Sequence, residues 1–556
     1  MRIATGPITN LEFAQVIRSI NPRGGWGQRI AVALSGGSDS ICLLFLLGRM
    51  LESAQAKEIF APNSVPECLA LTVDHGLQAA SAATAAKTRE HAVSQGVPHR
   101  LLSIPWGVSF FPPRPVPGEA FEELARKARN RLLLSAMVAE GANVIMFGHH
   151  ADDQVETAVM RLSRGSGFLG LAGMRKLRRW GMGDRDSPAP ELGWAGATGM
   201  GKWIARPLLD IPKSRILATC EEHGLNYVDD VTNFQPALTI RNAIRHVLSK
   251  SSSLTSDESR GNPVPAMVLN AVRLAKIALP ESSSSDRDLL RRWVQSNRCL
   301  VEEMDARVTA FLQDNIRPAP PSTILLWVSN VPPEDIQTAV VLRILRFVSP
   351  NPWGSPSAEG GRRRQSLARI ASYLWAAKNS LSLATSPAPH SFTAGSQVLW
   401  TSVVLLPDRT IHHRDHPILP HGKLAWIATR QPPTRKRAPS ATPSLGSLSL
   451  SIVVDITHVF AEARGTEVLF DCRFILRFRP PFPAVLTFPS RSSDLQVLIV
   501  PHGRYFLPQI LLRGAEEPDT VLWELREDYV DPLGSLVATG ATGWLEVRQA
   551  RILDAL

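Results

Sequence analysis

Arg29-Ile30-Ala31-Val32-Ala33-Leu34-Ser35-Gly36-Gly37-Ser38-Asp39-Ser40-Ile41-Cys42-Leu43-Leu44-Phe45 decides the fold. The first six residues form a short apolar strand. Ser38–Met50 reads as an apolar helix, and the Ser/Gly turn between them is too short for anything but a tight strand-to-helix passage. Glycines at 36 and 37 let the backbone turn sharply and approach a ligand closely. The helix N-terminus behind them offers N–H groups and the positive end of a dipole, and Ser35, Ser38 and Ser40 add hydroxyls. The pattern is a phosphate or pyrophosphate nest. It is no Walker loop, because the Gly-Lys-Ser/Thr ending is missing. Asp39 would repel a phosphate unless a divalent cation bridges the two, so a Mg²⁺-nucleotide is the expected ligand. The plain alternative is a Ser/Gly turn that only caps a helix.

The alternation continues outward from this stretch. Cys68–Asp74, Arg100–Ile104 and Asn143–Gly148 read as strands, and Ala79–Gln95, Glu119–Glu140 and Ala151–Leu162 as helices. The expected fold class is therefore α/β, a doubly wound, mostly parallel sheet. Trp180–Lys202 has no apolar period and reads as a surface insertion, after which Ile204–Leu209 and the helix Lys213–His223 resume the pattern. Four parts are expected: a catalytic domain over 1–250 with the 180–202 insertion, a helical accessory domain over 262–430, a Pro/Ser/Thr/Arg linker over 431–447, and a small β-rich or α+β tail domain over 448–556. Val264–Leu326 reads as helical throughout.

A second cluster, His149-His150-Ala151-Asp152-Asp153-Gln154-Val155-Glu156-Thr157, follows the strand Asn143–Gly148 directly. In a parallel sheet it lies at the same carboxyl edge as the Ser35 loop, where such sheets bind ligands. Asp152 or Asp153 can share a helix face with Glu156. Carboxylates that close repel one another unless a cation sits between them, and Mg²⁺ on a nucleotide suits the gap.

Composition narrows the class. The chain has 556 residues and a net charge of +11, a surplus that favours a polyanionic partner. Its five cysteines are dispersed, with no C-x-x-C pair, which excludes a disulfide scaffold, a zinc ribbon and a paired-thiol redox site. No apolar run approaches the roughly 18 residues of a membrane helix, so a soluble chain without a membrane partner is expected. Aromatics make up only 6%, which argues against a broad single-strand stacking platform.

Taken together the motifs resemble one family. Ser35–Ser40 is similar to the pyrophosphate-binding loop of the N-type ATP pyrophosphatases (PP-loop enzymes). Val73-Asp74-His75-Gly76-Leu77 resembles the second-strand motif of one branch, the tRNA(Ile)-lysidine synthetases. The other motifs of that branch follow in order: Glu122-x-x-Ala125-Arg126-x-x-Arg129, His149–Thr157, Arg161–Gly173, Arg206-Pro207-Leu208-Leu209, Asp229-Asp230-x-x-Asn233 and Arg241-Asn242-x-x-Arg245. The resemblance covers about residues 28–248.

The resemblance implies an ATP-dependent ligase. It would join L-lysine through its side-chain amine to C2 of the wobble cytidine of the isoleucine tRNA with a CAU anticodon, releasing pyrophosphate and AMP, so that AUG decoding becomes AUA decoding. It further implies ATP held by Ser35, Gly36, Gly37, Ser38, Asp39, Ser40, Val73, Asp74 and His149, and Mg²⁺ on Asp39 and Asp153. Asp39, Asp153, Glu156 and Arg241 would be catalytic; of Asp153 and Glu156, either could take metal or the lysine ammonium. Arg126, Arg129, Arg164, Arg206 and Arg245 would contact the tRNA. A homodimer is admitted. Two other functions stay open: another PP-loop tRNA-modifying enzyme such as a thiolase, and a catalytically silent tRNA-binding paralogue. Long Pro/Ser-rich segments have a eukaryotic style, which favours a mitochondrial location over a bacterial cytoplasm.

Overall fold

The computed structural model describes residues 6–60, 64–77, 81–108, 111–115, 121–183, 195–228, 239–249, 263–280, 285–319, 323–327, 330–354, 364–379, 390–395, 397–406, 411–413, 423–432, 453–461, 465–486, 495–503, 506–514, 518–525 and 543–553. Asp229, Asp230, Asn233, most of the 431–447 linker and the middle of the 180–202 insertion lie outside them. The chain divides into two compact units, one of residues 1–180 with 186–303 and one of residues 181–185 with 304–556.

The first unit is built on β1 (Arg29–Ala33), β2 (Glu67–Asp74), β3 (His99–Ser103), β4 (Ala142–Met146), β5 (Leu177–Arg179) and β6 (Trp203–Ala205). Their order is β3-β2-β1-β4-β6-β5; all neighbours run parallel except β5, which pairs antiparallel with β6. Alternation along β1 serves two layers. Ile30 and Val32 pack into one core with α1 (Asn10–Ser19), α2 (Ser38–Leu51), α3 (Ala54–Ile59) and α8 (Lys213–Glu222). Ala31 faces the other core, which holds Leu133 and Met137 of α5 (Phe121–Ala139). The central strands β1 and β4, buried on both faces, carry apolar runs, as a parallel sheet requires.

Strand order reverses at β1, flanked by β2 on one side and β4 on the other, with Ile30 opposite Val144 and Val32 opposite Met146. Such a switch point opens a crevice at the carboxyl edge. The turn after β1 leads into α2, and the segment after β4 leads into α6 (Ala151–Ser163). Val155 and Val159 of α6 pack against α9 (Ile240–Ser249), α10 (Pro263–Ala278) and the start of α11 (Asp286–Asn315). Helices expected to begin a separate accessory domain thus share a core with the first unit, and the division falls inside α11.

Two expectations change here. Helix does not run on to Leu326: α11 ends at Asn315, and β7 (Ile316–Ala319) and β8 (Thr323–Trp327) follow. They join β9 (Ser391–Thr393), β10 (Val398–Leu405), β11 (Ile411–His413) and β12 (Lys423–Arg430) in a six-stranded sheet beside α12 (Glu334–Val348) and α13 (Arg364–Asn379). The described ends of the 180–202 segment are also partly buried rather than wholly on the surface. Met182 and Met200 are buried, and Met182 donates its N–H to the Trp353 carbonyl at 2.9 Å.

The tail forms two small antiparallel sheets over one core that includes Phe470, Phe478, Ile499 and Ile510. It is tied to the preceding sheet by Arg430, whose guanidinium lies 2.9 Å from Asp471. Among the described residues no helix is long and apolar enough to cross a membrane.

Candidate functional site

Gly36 has φ +87°, and a Cβ there would stand 2.4 Å from Oγ1 of the buried Thr88. Only glycine fits both the left-handed backbone and the space. Gly37 caps α2 without any side-chain hydrogen bond, so no cap side chain competes for the Ser38 and Asp39 N–H groups. The loop is held from within: the Ser35 N–H donates to Ser40 Oγ at 3.2 Å, and Ser40 Oγ donates to the Gly37 carbonyl at 3.0 Å. Val228, beyond α8, donates its N–H to the Gly36 carbonyl at 2.9 Å.

The second segment abuts this loop. His150 caps α6 by accepting from the Asp152 N–H at 3.2 Å, while the His150 N–H donates to Asp153 Oδ2 at 3.1 Å. This reciprocal cap fixes Asp153 at the helix start. His150 Nε2 then lies 3.6 Å from Asp39 Oδ2 and 3.6 Å from Asp153 Oδ2. The two predicted cation-binding carboxylates therefore flank a single ring nitrogen. Burial pulls the Asp153 carboxyl upward, but His150, His149 and the His150 N–H outweigh it and hold it below the usual carboxylate range.

Glu156 is fully buried, one turn further along α6. Arg245 of α9 grips it with two hydrogen bonds, 2.8 and 3.1 Å, and Arg241 lies 3.6 Å away. Burial pushes the Glu156 carboxyl up despite the Arg245 pair, and Asp153 adds to the push. Arg241 and Arg245, four apart, share a face of α9 toward α6. His149 carries a buried Nδ1 with no hydrogen-bond partner among the described residues; burial, then Arg206, push the ring down to about 3, so it is neutral near pH 7.

The remaining predicted residues are scattered in role and place. Asp74 Oδ1 accepts from the Gly76 N–H at 2.8 Å and from the Ser81 hydroxyl, so its carboxylate shapes the turn after β2, beside half-buried Val73. Arg126 is exposed, and Arg129 is half-buried near His75. Arg164 is the exposed C-cap of α6, at the opposite end from Asp153. Arg206 is buried and donates to the Arg175 carbonyl at 3.0 Å; burial, with Arg178 and Arg161, pushes it down to about 9. Within the basic stretch, Arg161 is spent on the Gly173 carbonyl at 2.6 Å and Lys176 on Asp210 at 2.8 Å.

Two site residues carried no motif. Lys213, the first residue of α8, sets its Nζ 2.6 Å from Ser38 Oγ and 2.6 Å from Asp39 Oδ1. Its only signal was its place at the start of a helix that follows Arg206–Leu209. Gly148 is the other: a Cβ there would meet the Asp39 carbonyl at 2.9 Å. The fold also joins two cysteines. Cys42 and Cys220 are both buried, and the Cys220 thiol faces the Ser38 carbonyl at 3.7 Å. A hydrogen bond with Cys220, and burial, push the Cys42 thiol far up, which makes it a poor sulfur nucleophile.

Residues 9–252 match the family model described as a PP-loop domain. The tRNA(Ile)-lysidine synthase of Bradyrhizobium diazoefficiens is 34% identical over 247 residues, 44% of this chain and 57% of that one. That of Rhodopseudomonas palustris is 34% identical over 248 residues, 44% and 59% of the two chains. That of Methylobacterium nodulans is 32% identical over 319 residues, 57% and 74%. The chain thus spans less than two thirds of the first two relatives and about three quarters of the third. These three relatives are bacterial and lend no support to a mitochondrial location. With the PP-loop domain matched and a relative covered for 74% of its length at 32% identity, the chain belongs to the tRNA(Ile)-lysidine synthase family.

Proposed function

We propose that the protein is an ATP-dependent tRNA(Ile)-lysidine synthase. The observation that carries this reading is the meeting of Asp39 and Asp153 across His150 Nε2 at the mouth of the Ser35–Ser40 loop. Mg²⁺ usually takes one or two carboxylates and fills its other positions with water and phosphate oxygens, which two carboxylates beside a phosphate loop suit. Asp39 and Asp153 would hold it, and when bound it would offset charge on the departing pyrophosphate.

In the first step the cytosine O2 attacks the α-phosphorus of ATP and pyrophosphate leaves. Backbone N–H groups of the loop, with the Ser38 hydroxyl, would hold the β- and γ-phosphates while Ser40 holds the loop's shape, and the Lys213 ammonium would meet the charge that develops there. In the second step the lysine ε-amine bonds to C2, AMP departs with the former O2, and a proton is lost. Neutral His149, beside the crevice, would border adenine or the base. With Glu156 engaged by Arg245, a lysine ammonium reaches that carboxylate only if Arg245 lets go. Arg241 would steady the phosphate. Arg126 and Arg164, both exposed, and Arg129 would contact tRNA phosphates. The helices of 263–315 and the second unit would serve as the RNA-gripping accessory part.

The test is ligation of labelled lysine to an isoleucine tRNA transcript with a CAU anticodon, in the presence of ATP and Mg²⁺. Label on the wobble cytidine, lost in Asp39→Ala, supports the reading. ATP conversion to AMP without lysine incorporation would indicate a different PP-loop base modification. No turnover with any tRNA would indicate a silent paralogue.

A further inference from the structure

We propose that Arg291 of α11 is a positioning residue for the pyrophosphate loop, acting through Asp152 and Lys213. The inference rests on the reading of Ser35–Ser40 as the nucleotide's phosphate site.

Helix α8 starts after Pro212, which has no side-chain oxygen to cap it, and no side chain of its own segment does so. The cap comes from another helix: Asp152 Oδ2 of α6 accepts the Lys213 N–H at 3.0 Å. The other carboxylate oxygen, Oδ1, is held by Arg291, with Nε at 3.1 Å and Nη2 also in contact. Arg291 is in turn anchored within α11 by Asp288 at 2.7 Å. Lys213 is thereby fixed at its backbone, and its Nζ reaches Ser38 and Asp39.

The consequence is specific. Lys213 neutralises Asp39 inside a site built for phosphate and lays an ammonium beside the loop. If Asp152 loses Arg291, it gains rotational freedom, the cap on α8 weakens, and the Lys213 ammonium loses its fixed place. The loss falls on the phosphate end of the nucleotide. The base and the lysine substrate should not sense it.

The test uses the full chain without tRNA or lysine. Binding of ATP, inorganic tripolyphosphate and adenosine is measured by calorimetry for wild type, Arg291→Gln, Arg291→Lys, Asp152→Asn, Lys213→Met and the Arg291→Gln/Lys213→Met double variant. Arg291→Gln is expected to weaken ATP and tripolyphosphate about tenfold, the size typical of coupling through intermediate residues, with adenosine unchanged. Arg291→Lys should recover part of the loss. In the Lys213→Met background Arg291→Gln should add nothing, because its route is already cut. Asp152→Asn keeps an oxygen for the Lys213 N–H but loses its charge toward Arg291, and it should follow Arg291→Gln even if the latter folds poorly. Equal losses for ATP and adenosine, or additive losses in the double variant, would overturn the proposal, as would a wild type that binds no ATP. A wild type that binds ATP and shows this pattern, yet makes no lysidine, would defeat the function reading alone.

Discussion

The Cβ position of Gly148 lies 2.9 Å from both the carbonyl carbon and the carbonyl oxygen of Asp39. The end of the β4 segment and the first turn of α2 touch backbone to backbone, and this contact sets the spacing of the two acidic segments. Gly148→Ala must push them apart. Overpacking of this kind costs about 1–3 kcal/mol. ATP binding should fall by more than the fall in melting temperature explains. Unchanged ATP affinity would show that the loop accommodates the methyl group by itself.

Arg245 is the bidentate partner of a buried carboxylate. Arg245→Ala leaves Glu156 buried without it, which should cost about 1–3 kcal/mol by denaturant unfolding. Arg245→Lys should restore little, since one ammonium cannot reproduce two parallel hydrogen bonds. Full recovery by lysine would show that charge alone matters there.

Asp210 links Lys176 at 2.8 Å with Arg298 of α11. Burial raises its carboxyl, but Arg298 and then Lys176 outweigh it, so the folded value lies below the ordinary 3.8. A carboxyl depressed on folding contributes stability that is fully present above about pH 3.8 and is lost as pH falls through the lower folded value. Asp210→Asn should therefore lower the melting temperature at pH 7, and its deficit should shrink below pH 3.8. A deficit independent of pH would indicate packing rather than charge.

Gln154 is buried and makes two hydrogen bonds to Met174, accepting its N–H at 2.6 Å and donating to its carbonyl at 2.9 Å. It also fills the space beside Gly173. Gln154→Ala should release the 165–175 turn, detected as faster amide exchange at Met174 with α6 protection retained. Unaltered exchange would mean that Arg161 alone holds the turn.

Cys299 is exposed, whereas Cys42, Cys220 and Cys472 are buried. In the native protein Cys299 should react with a thiol reagent well before these three. Cys42→Ala/Cys220→Ala should bind ATP as wild type does and keep ligation. Loss of modification chemistry with retained ATP binding would favour a sulfur-transfer enzyme instead.

The strand–loop–helix at 29–50 and the mostly parallel sheet were legible because a two-sided parallel sheet leaves continuous apolar runs, and its ligand loops must follow strand ends. Asp39, Asp153 and Glu156 could be named for the same reason: acidic residues beside a phosphate turn carry an electrostatic cost that calls for a cation. The sheet over 316–430 was not legible. Its strands β7, β9 and β11 are only three or four residues long, too short to show a period.

The sequence by itself determined which residue types gather at the carboxyl edge of the sheet, because residue type and local spacing are properties of the chain. Only the tertiary structure decided the partners. Lys213 on Asp39, Arg291 on Asp152 and Arg245 on Glu156 each join residues scores of positions apart. Such pairs arise when buried charge must be neutralised wherever packing has brought it, and no local pattern encodes that.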